Sequence, residues 1–261
     1  ADGPLTIELV GPSYSLSYIR QTLDMMARFG VSPVVDEAAG RIAVPAGRSY
    51  AGCEVALTGD YTSASYILGA AFVTRGHIEV ANLDPSSLQG ERAIVAILEA
   101  LGARAVWHPG HRLELDCTAV PAEVDATVDL ADCPNILPTV AAVAATVGGR
   151  VRITGARLTQ NHKSPRITAM ATELARAGVR LSVLHDAAGA VDGLEVRGRR
   201  HHAGGVAFGS HGDHRIFMSL VLFALAAERP CVFADGESTE DSFPGFAQAL
   251  AIDDLPLQGA A

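Results

Sequence analysis

Asp213, His214 and Arg215 place a carboxylate, an imidazole and a guanidinium on consecutive positions, directly ahead of the apolar run Ile216-Phe-Met-Ser-Leu-Val-Leu-Phe223. An apolar run of that length with a polar lead-in reads as a helix and its N-terminus. Helix N-termini carry unsatisfied N–H groups and a partial positive charge, so they attract anions. Arg215 adds a planar donor suited to a carboxylate or phosphate. Upstream, Lys163-Ser-Pro-Arg166 offers two more cations three positions apart. Alone, such a pair is an ordinary surface feature worth little. The chemistry open to the set is capture of a carboxylate or phosphate.

The elements that must position these residues are repetitive. Tyr18–Val35, Glu91–Trp107 and Arg166–Val183 each read as an apolar-periodic helix ending at a glycine (Gly30, Gly102, Gly178), followed by a short β-rich run. Glycine just past a helix is the expected left-handed cap. A second helix series alternates with the first, over Thr62–Thr74, Asn135–Val147 and His214–Ala227, with strands expected at His77–Ala81, Arg150–Thr154 and Cys231–Ala234. The unit reads strand, helix, strand, helix, strand, strand. That places the fold in the α/β (α+β) class, with helices packed on short sheets in repeated βαβαββ units. Pro165 suits a first helical turn. Asp186–Gly193 and Arg197–Gly205, the latter with Arg199, Arg200, His201 and His202, read as exposed turns.

The 261 residues suffice for one large domain or two modest ones, and 49 % hydrophobic against 19 % charged residues is a globular balance. A net charge of −9 argues against a general nucleic-acid or membrane-surface binder, while leaving room for a local basic pocket. Cys53, Cys117, Cys133 and Cys231 form no Cys-x-x-Cys pair, so neither a zinc nor a redox motif is expected, and a reduced cytoplasmic setting is. No apolar run is long enough for a transmembrane helix. The start, Ala-Asp-Gly-Pro-Leu, has neither Met nor signal-peptide character and is consistent with a processed or trimmed chain.

From about Leu5 to Leu250 the chain resembles the EPSP synthase family of enolpyruvyl transferases. Ser15-Leu-Ser-Tyr18, Gly59-Asp-Tyr-Thr-Ser-Ala-Ser-Tyr66, Ser87-Leu-Gln-Gly-Glu91, Lys163-x-x-Arg166, Asp213-His-Arg215 and Ser242-Phe-Pro-Gly-Phe246 follow the family's motifs in order. The resemblance covers the C-terminal three-fifths or so of a complete enzyme. It implies that residues 1–58 are the last unit of an N-terminal-type domain and 59–261 the C-terminal-type domain. It further implies addition of phosphoenolpyruvate to a hydroxyl of shikimate 3-phosphate or a related cyclic alcohol, followed by loss of phosphate, without metal or organic cofactor. Ser15 and Tyr18 would then touch shikimate 3-phosphate. Lys163, Arg166 and Arg215 would hold the phosphoenolpyruvate end beside His214, with Asp213 orienting them.

Three positions depart from the family pattern. The family's catalytic glutamate falls on Ser164, its catalytic aspartate on Asn135 in Asp132-Cys-Pro-Asn135, and a binding lysine on Asp241. Asparagine cannot take a proton and serine is a poor acid; each lost acid or base commonly costs about 10²–10⁴-fold in rate. Asp129 or Asp132 is a possible replacement carboxylate. The alternative to an active transferase is a degenerate homologue or half-enzyme that binds an anion or a partner chain without turnover. Expected partners are small anionic substrates, with an N-terminal half in trans or a homodimer, and neither nucleic acid nor membrane. RNA-end-processing cyclases share the repeated unit, but the acidic balance and the lack of interleaved aromatic and basic residues speak against them.

Overall fold

A computed structural model describes residues 3–11, 14–234, 239–240 and 242–252. The leading region contributes β1 (Leu5–Glu8), α1 (Leu16–Arg28), β2 (Val34–Asp36) and β3 (Arg41–Val44), with an antiparallel sheet ordered β1-β3-β2. Next come α2 (Tyr61–Thr74), β4 (His77–Val80), α3 (Ala93–Ala100), β5 (Arg104–His108) and β6 (Arg112–Asp116), whose strands pair antiparallel as β4-β6-β5. The third stretch is a complete βαβαββ unit: β7 (Glu123–Asp129), α4 (Leu137–Ala145), β8 (Gly148–Thr154), α5 (Arg166–Arg176), β9 (Arg180–His185) and β10 (Val191–Arg197). Its sheet runs β7-β8-β10-β9, parallel between β7 and β8 and antiparallel elsewhere. Last are β11 (Ala207–Phe208), α6 (His214–Ala224), β12 (Val232–Phe233) and the short α7 (Phe246–Ala249), with β11 and β12 pairing in parallel.

Helices α2, α4 and α6 pack on one another in the centre, and the sheets and the remaining helices surround them. Every residue of α4 is buried, which explains why its sequence, LPTVAAVAA, has no polar stripe. Close approach at this centre requires Gly69: a Cβ there would come within 2.9 Å of Leu222 and 3.5 Å of Thr139 and Val143. The expected capping glycines are left-handed, with φ of +88° at Gly30, +102° at Gly102 and +81° at Gly178. Among the described residues, no helix is long and apolar enough to cross a membrane.

The expected strands shift by one or two residues: β4 stops at Val80, β8 starts at Gly148, and β12 is confined to Val232–Phe233. Two expected turns hold in part, with a turn at 187–189 and with Arg199, Arg200 and His201 exposed. Val191–Gly193 belongs to β10, and Gly193 is there because a Cβ would lie 1.8 Å from the Ile153 carbonyl oxygen. In Arg197–Gly205 the backbone is pinned rather than free. The Arg199 N–H donates to the Ala145 carbonyl at 3.0 Å, and buried His202 reaches the same carbonyl through Nε2 at 2.8 Å. Carbonyls left over at the C-terminal end of α4 are what hold this segment down.

Candidate functional site

The site is built where the N-terminal ends of α4, α5 and α6 meet. Asp213 caps α6: its Oδ1 accepts the Arg215 N–H at 2.9 Å. Its other oxygen, Oδ2, accepts from Arg166 Nε at 2.7 Å and from Ser164 Oγ at 2.8 Å, both at the start of α5. Arg166 continues the chain by donating Nη1 to Asn135 Oδ1 at 2.9 Å, just ahead of α4. Burial alone would raise the Asp213 carboxyl, but the Arg166 ion pair and the Ser164 and Arg215 hydrogen bonds outweigh it and hold the group below its ordinary value.

From Asn135 the chain runs into the leading region. Asn135 Nδ2 donates to the Tyr18 hydroxyl at 2.6 Å, and that hydroxyl donates to the Glu91 carboxylate. The donor and acceptor sense is fixed from the Arg166 end. Arg166 can only donate, so Asn135 turns its oxygen toward it and its amide N–H toward the Tyr18 oxygen, and the Tyr18 proton is left for Glu91. Burial, then the hydrogen bond to Glu91, pushes the Tyr18 hydroxyl well above its ordinary value, so it stays protonated. An aspartate at 135 would leave one hydroxyl proton facing two carboxylates; asparagine is the residue that completes this network. Glu91 is 2 % exposed.

His214 and Arg215 open into a cavity of about 240 Å³, which Thr62 and Ser63 at the start of α2, Tyr66 and Ser242 also line. Arg215 Nη1 is buried, and among the described residues it has no hydrogen-bond acceptor. Burial, with Arg215 as the next cause, lowers the His214 pKa, which favours a neutral imidazole. Burial also pushes the Tyr66 hydroxyl up to about 12, against the pull of Arg215. Lys163 is exposed, and near enough for its charge to add to the depression of His214.

The remaining expected residues fall elsewhere. Asp132 is committed to the leading region: Oδ1 accepts the Ser17 N–H at 2.8 Å, and its backbone carbonyl accepts Ser17 Oγ at 2.8 Å. Asp129 accepts the Ala131 N–H at 3.0 Å. Both acids line a separate cleft of about 490 Å³ with Ser17 and Arg20. Ser15 is the left-handed residue before α1, tied to the Ala131 carbonyl through its N–H at 2.9 Å. Asp241 lies outside the described residues. Among those described, no group of His, Cys, Asp and Glu is arranged to hold a metal ion.

Two acids at the site escaped sequence reasoning. In the sequence Glu91 is only the last residue of the Ser87-Leu-Gln-Gly-Glu91 motif, with nothing that marks its burial. Glu173 has nothing in its sequence neighbourhood to single it out. Yet it is buried and accepts from the Gly209 N–H at 3.1 Å, His211 Nε2 at 2.9 Å and Arg176 Nη1 at 2.7 Å. It fixes the loop that delivers Asp213 to α6.

Fold and site together define an α/β protein of repeated βαβαββ units whose helix N-termini gather a cationic cluster around one buried carboxylate. A family model described as EPSP synthase (3-phosphoshikimate 1-carboxyvinyltransferase) matches residues 1–250. A 3-phosphoshikimate 1-carboxyvinyltransferase of Methanoculleus marisnigri is 34 % identical over 253 residues, 96 % of this chain and 56 % of the relative. One from Syntrophobacter fumaroxidans is 35 % identical over 249 residues, with 94 % and 56 % covered. In fold, an EPSP synthase structure from Acinetobacter baumannii superposes with a TM-score of 0.77 at 20 % identity, covering 98 % of this chain and 58 % of that one. The chain belongs to the EPSP synthase family, and it spans a little over half the length of the curated relatives it matches.

Proposed function

We propose that the chain carries the phosphoenolpyruvate-binding part of an enolpyruvyl transferase, acting toward shikimate 3-phosphate or a related cyclic alcohol. The observation that carries this reading is Arg215 Nη1, a cationic donor buried without an acceptor beside the α6 N-terminus and a small cavity. A buried unsatisfied donor costs about 1–3 kcal/mol, a cost that an incoming carboxylate or phosphate removes. In this reading Arg215, Lys163 and Arg166 hold the phosphoenolpyruvate end, and Ser15 and Tyr18 face the acceptor. The acceptor oxygen bonds to C2 as its proton leaves for a base and C3 takes up a proton; the C2–O bond to phosphate then breaks as C3 returns a proton to a base, which restores the C2=C3 double bond. Neutral His214 is suited to accept the hydroxyl proton.

Residues 1–58 are, in the same proposal, the last unit of a preceding domain and 59–261 most of a second one. The setting is cytoplasmic, with the partner an N-terminal half in trans or a second copy. The test is calorimetric titration of the full chain with phosphoenolpyruvate and shikimate 3-phosphate, singly and together, with phosphate release followed on the same sample. Binding with release supports the transferase; absence of binding to either compound refutes it. A second reading, an anion-binding homologue without turnover, draws on Asn135 and Ser164, which replace the family's two carboxylates and are both tied into the Arg166–Asp213 network. Binding without release supports that one.

A further inference from the structure

The four-stranded sheet has two ends, and only one leads to the site described above. At the opposite end, where β7 and β8 begin, lies an open groove of about 920 Å³. Five arginines line it (Arg150, Arg180, Arg197, Arg199 and Arg200), against two acids, Glu123 and Asp125. In a chain of net charge −9 this is a strong local reversal of sign.

Pairing within the sheet accounts for two of the five. Arg150 is bidentate to Asp125, its partner across β7 and β8, and Arg197 bonds Glu195 at 3.0 Å. Arg180, Arg199 and Arg200 have no acid partner among the described residues. Arg180 stands directly opposite Arg197 in the register of β9 and β10, and like charges so placed destabilise a sheet. Arg200 adds to the crowding, because its charge, after burial, is what lowers the pKa of nearby Arg75. Folding gains nothing from assembling these cations. The backbone that carries Arg199 and Arg200 is held by the bond from the Arg199 N–H and by buried His202, so a ligand would have to order their side chains but not the loop.

We infer that this groove is a second anion site, for a small molecule bearing two linked phosphoryl groups. Five guanidinium groups against two carboxylates leave the lining with three positive charges, which a diphosphate matches and a monophosphate does not. The groove has the size of a small-molecule site. Its lining contains no aromatic side chain on which bases could stack, and the acidic remainder of the surface repels a long polyanion.

Pyrophosphate titrated calorimetrically into the full chain at low salt tests this. The Arg215→Ala background is used so that uptake at the other cationic cluster does not count. Uptake is expected to persist there and to weaken tenfold or more on adding Arg199→Ser and Arg200→Ser. Should that variant lose its cooperative melting transition, Arg180→Ser in the same background replaces it, with at least a threefold weakening expected. Loss of all uptake in Arg215→Ala alone, or affinity indifferent to the groove substitutions, overturns the inference. So does tighter competition by a single-stranded oligonucleotide than by pyrophosphate, since that would make the groove a nucleic-acid surface.

Discussion

Residues 3–58 and residues 59–252 are stabilised by different means. Among the described residues, the continuous apolar core begins at Tyr61, and nothing in the leading region belongs to it. There only Ser17, Val31 and Ile42 are buried, and Leu5, Ile7, Val34 and Val35 stay exposed on the sheet. The leading region meets the rest through polar contacts at the start of α1: Ser15 and Ser17 on the 131–132 loop, and Tyr18 on Glu91 and Asn135. Hydrogen bonds contribute about 1 kcal/mol each, whereas a buried apolar side chain contributes about 1.5–3. The site therefore straddles a firm body and a lightly attached flap, and substitutions on the two sides should fail differently.

The largest effect is expected from Asp213→Ala. It leaves Arg166, 5 % exposed, as a buried charge without its ion-pair partner, and breaking such a pair commonly costs about 3–5 kcal/mol. The body should melt at markedly lower temperature, and the leading region, with no core of its own, should lose structure with it. A leading region that kept its hydrogen-exchange protection in this variant would show that it holds its structure without the body.

Tyr18→Phe should weaken the other side instead, at about 1–3 kcal/mol, by leaving Glu91 buried without its hydroxyl partner. The expected signature is faster amide exchange over residues 16–44 with little change in the melting of the body. Asn135→Asp should resemble it, because Tyr18 cannot satisfy two carboxylates with one proton. In that variant Glu91→Gln should restore part of the loss, since the added amide offers a donor. Absence of rescue would break the donor–acceptor order assigned from Arg166 to Glu91.

How far the sequence reveals this arrangement differs between periodicity and burial. The helices, their glycine caps and the Asp213-His-Arg215 N-terminus follow from local spacing, because each is set by residues within one or two turns. Glu91, Glu173 and His202 are not legible in that way. Each is a polar residue whose role is fixed by a partner 36 or more positions away, and a lone acid or histidine in a polar stretch carries no mark of burial. The same blindness explains why Asp132 looks like a spare acid when it is in fact the anchor for α1. The arginine groove is a milder case. Arg199 and Arg200 are conspicuous as a pair, but only the register of β8, β9 and β10 brings Arg150, Arg180 and Arg197 beside them.

The smallest expected effect lies wholly in the body and concerns pH. Burial is the leading cause that lowers the pKa of His162, His202 and His214. In the unfolded chain these imidazoles titrate near about 6.5. Between that value and the lower folded value the unfolded state binds more protons than the folded one, so stability rises with pH in this window and levels off above it. Acidifying from pH 7 toward pH 5 should therefore destabilise the body. His202 contributes most clearly, since its Nε2 must keep a proton for the Ala145 carbonyl while Nδ1 is buried without a partner among the described residues. His202→Gln retains a donor for that carbonyl and removes the titration, so its melting temperature should vary less over the same interval. An unchanged pH slope in that variant would assign the effect to His162 and His214 at the site, and would separate the titration of the cationic cluster from that of the groove's anchoring loop.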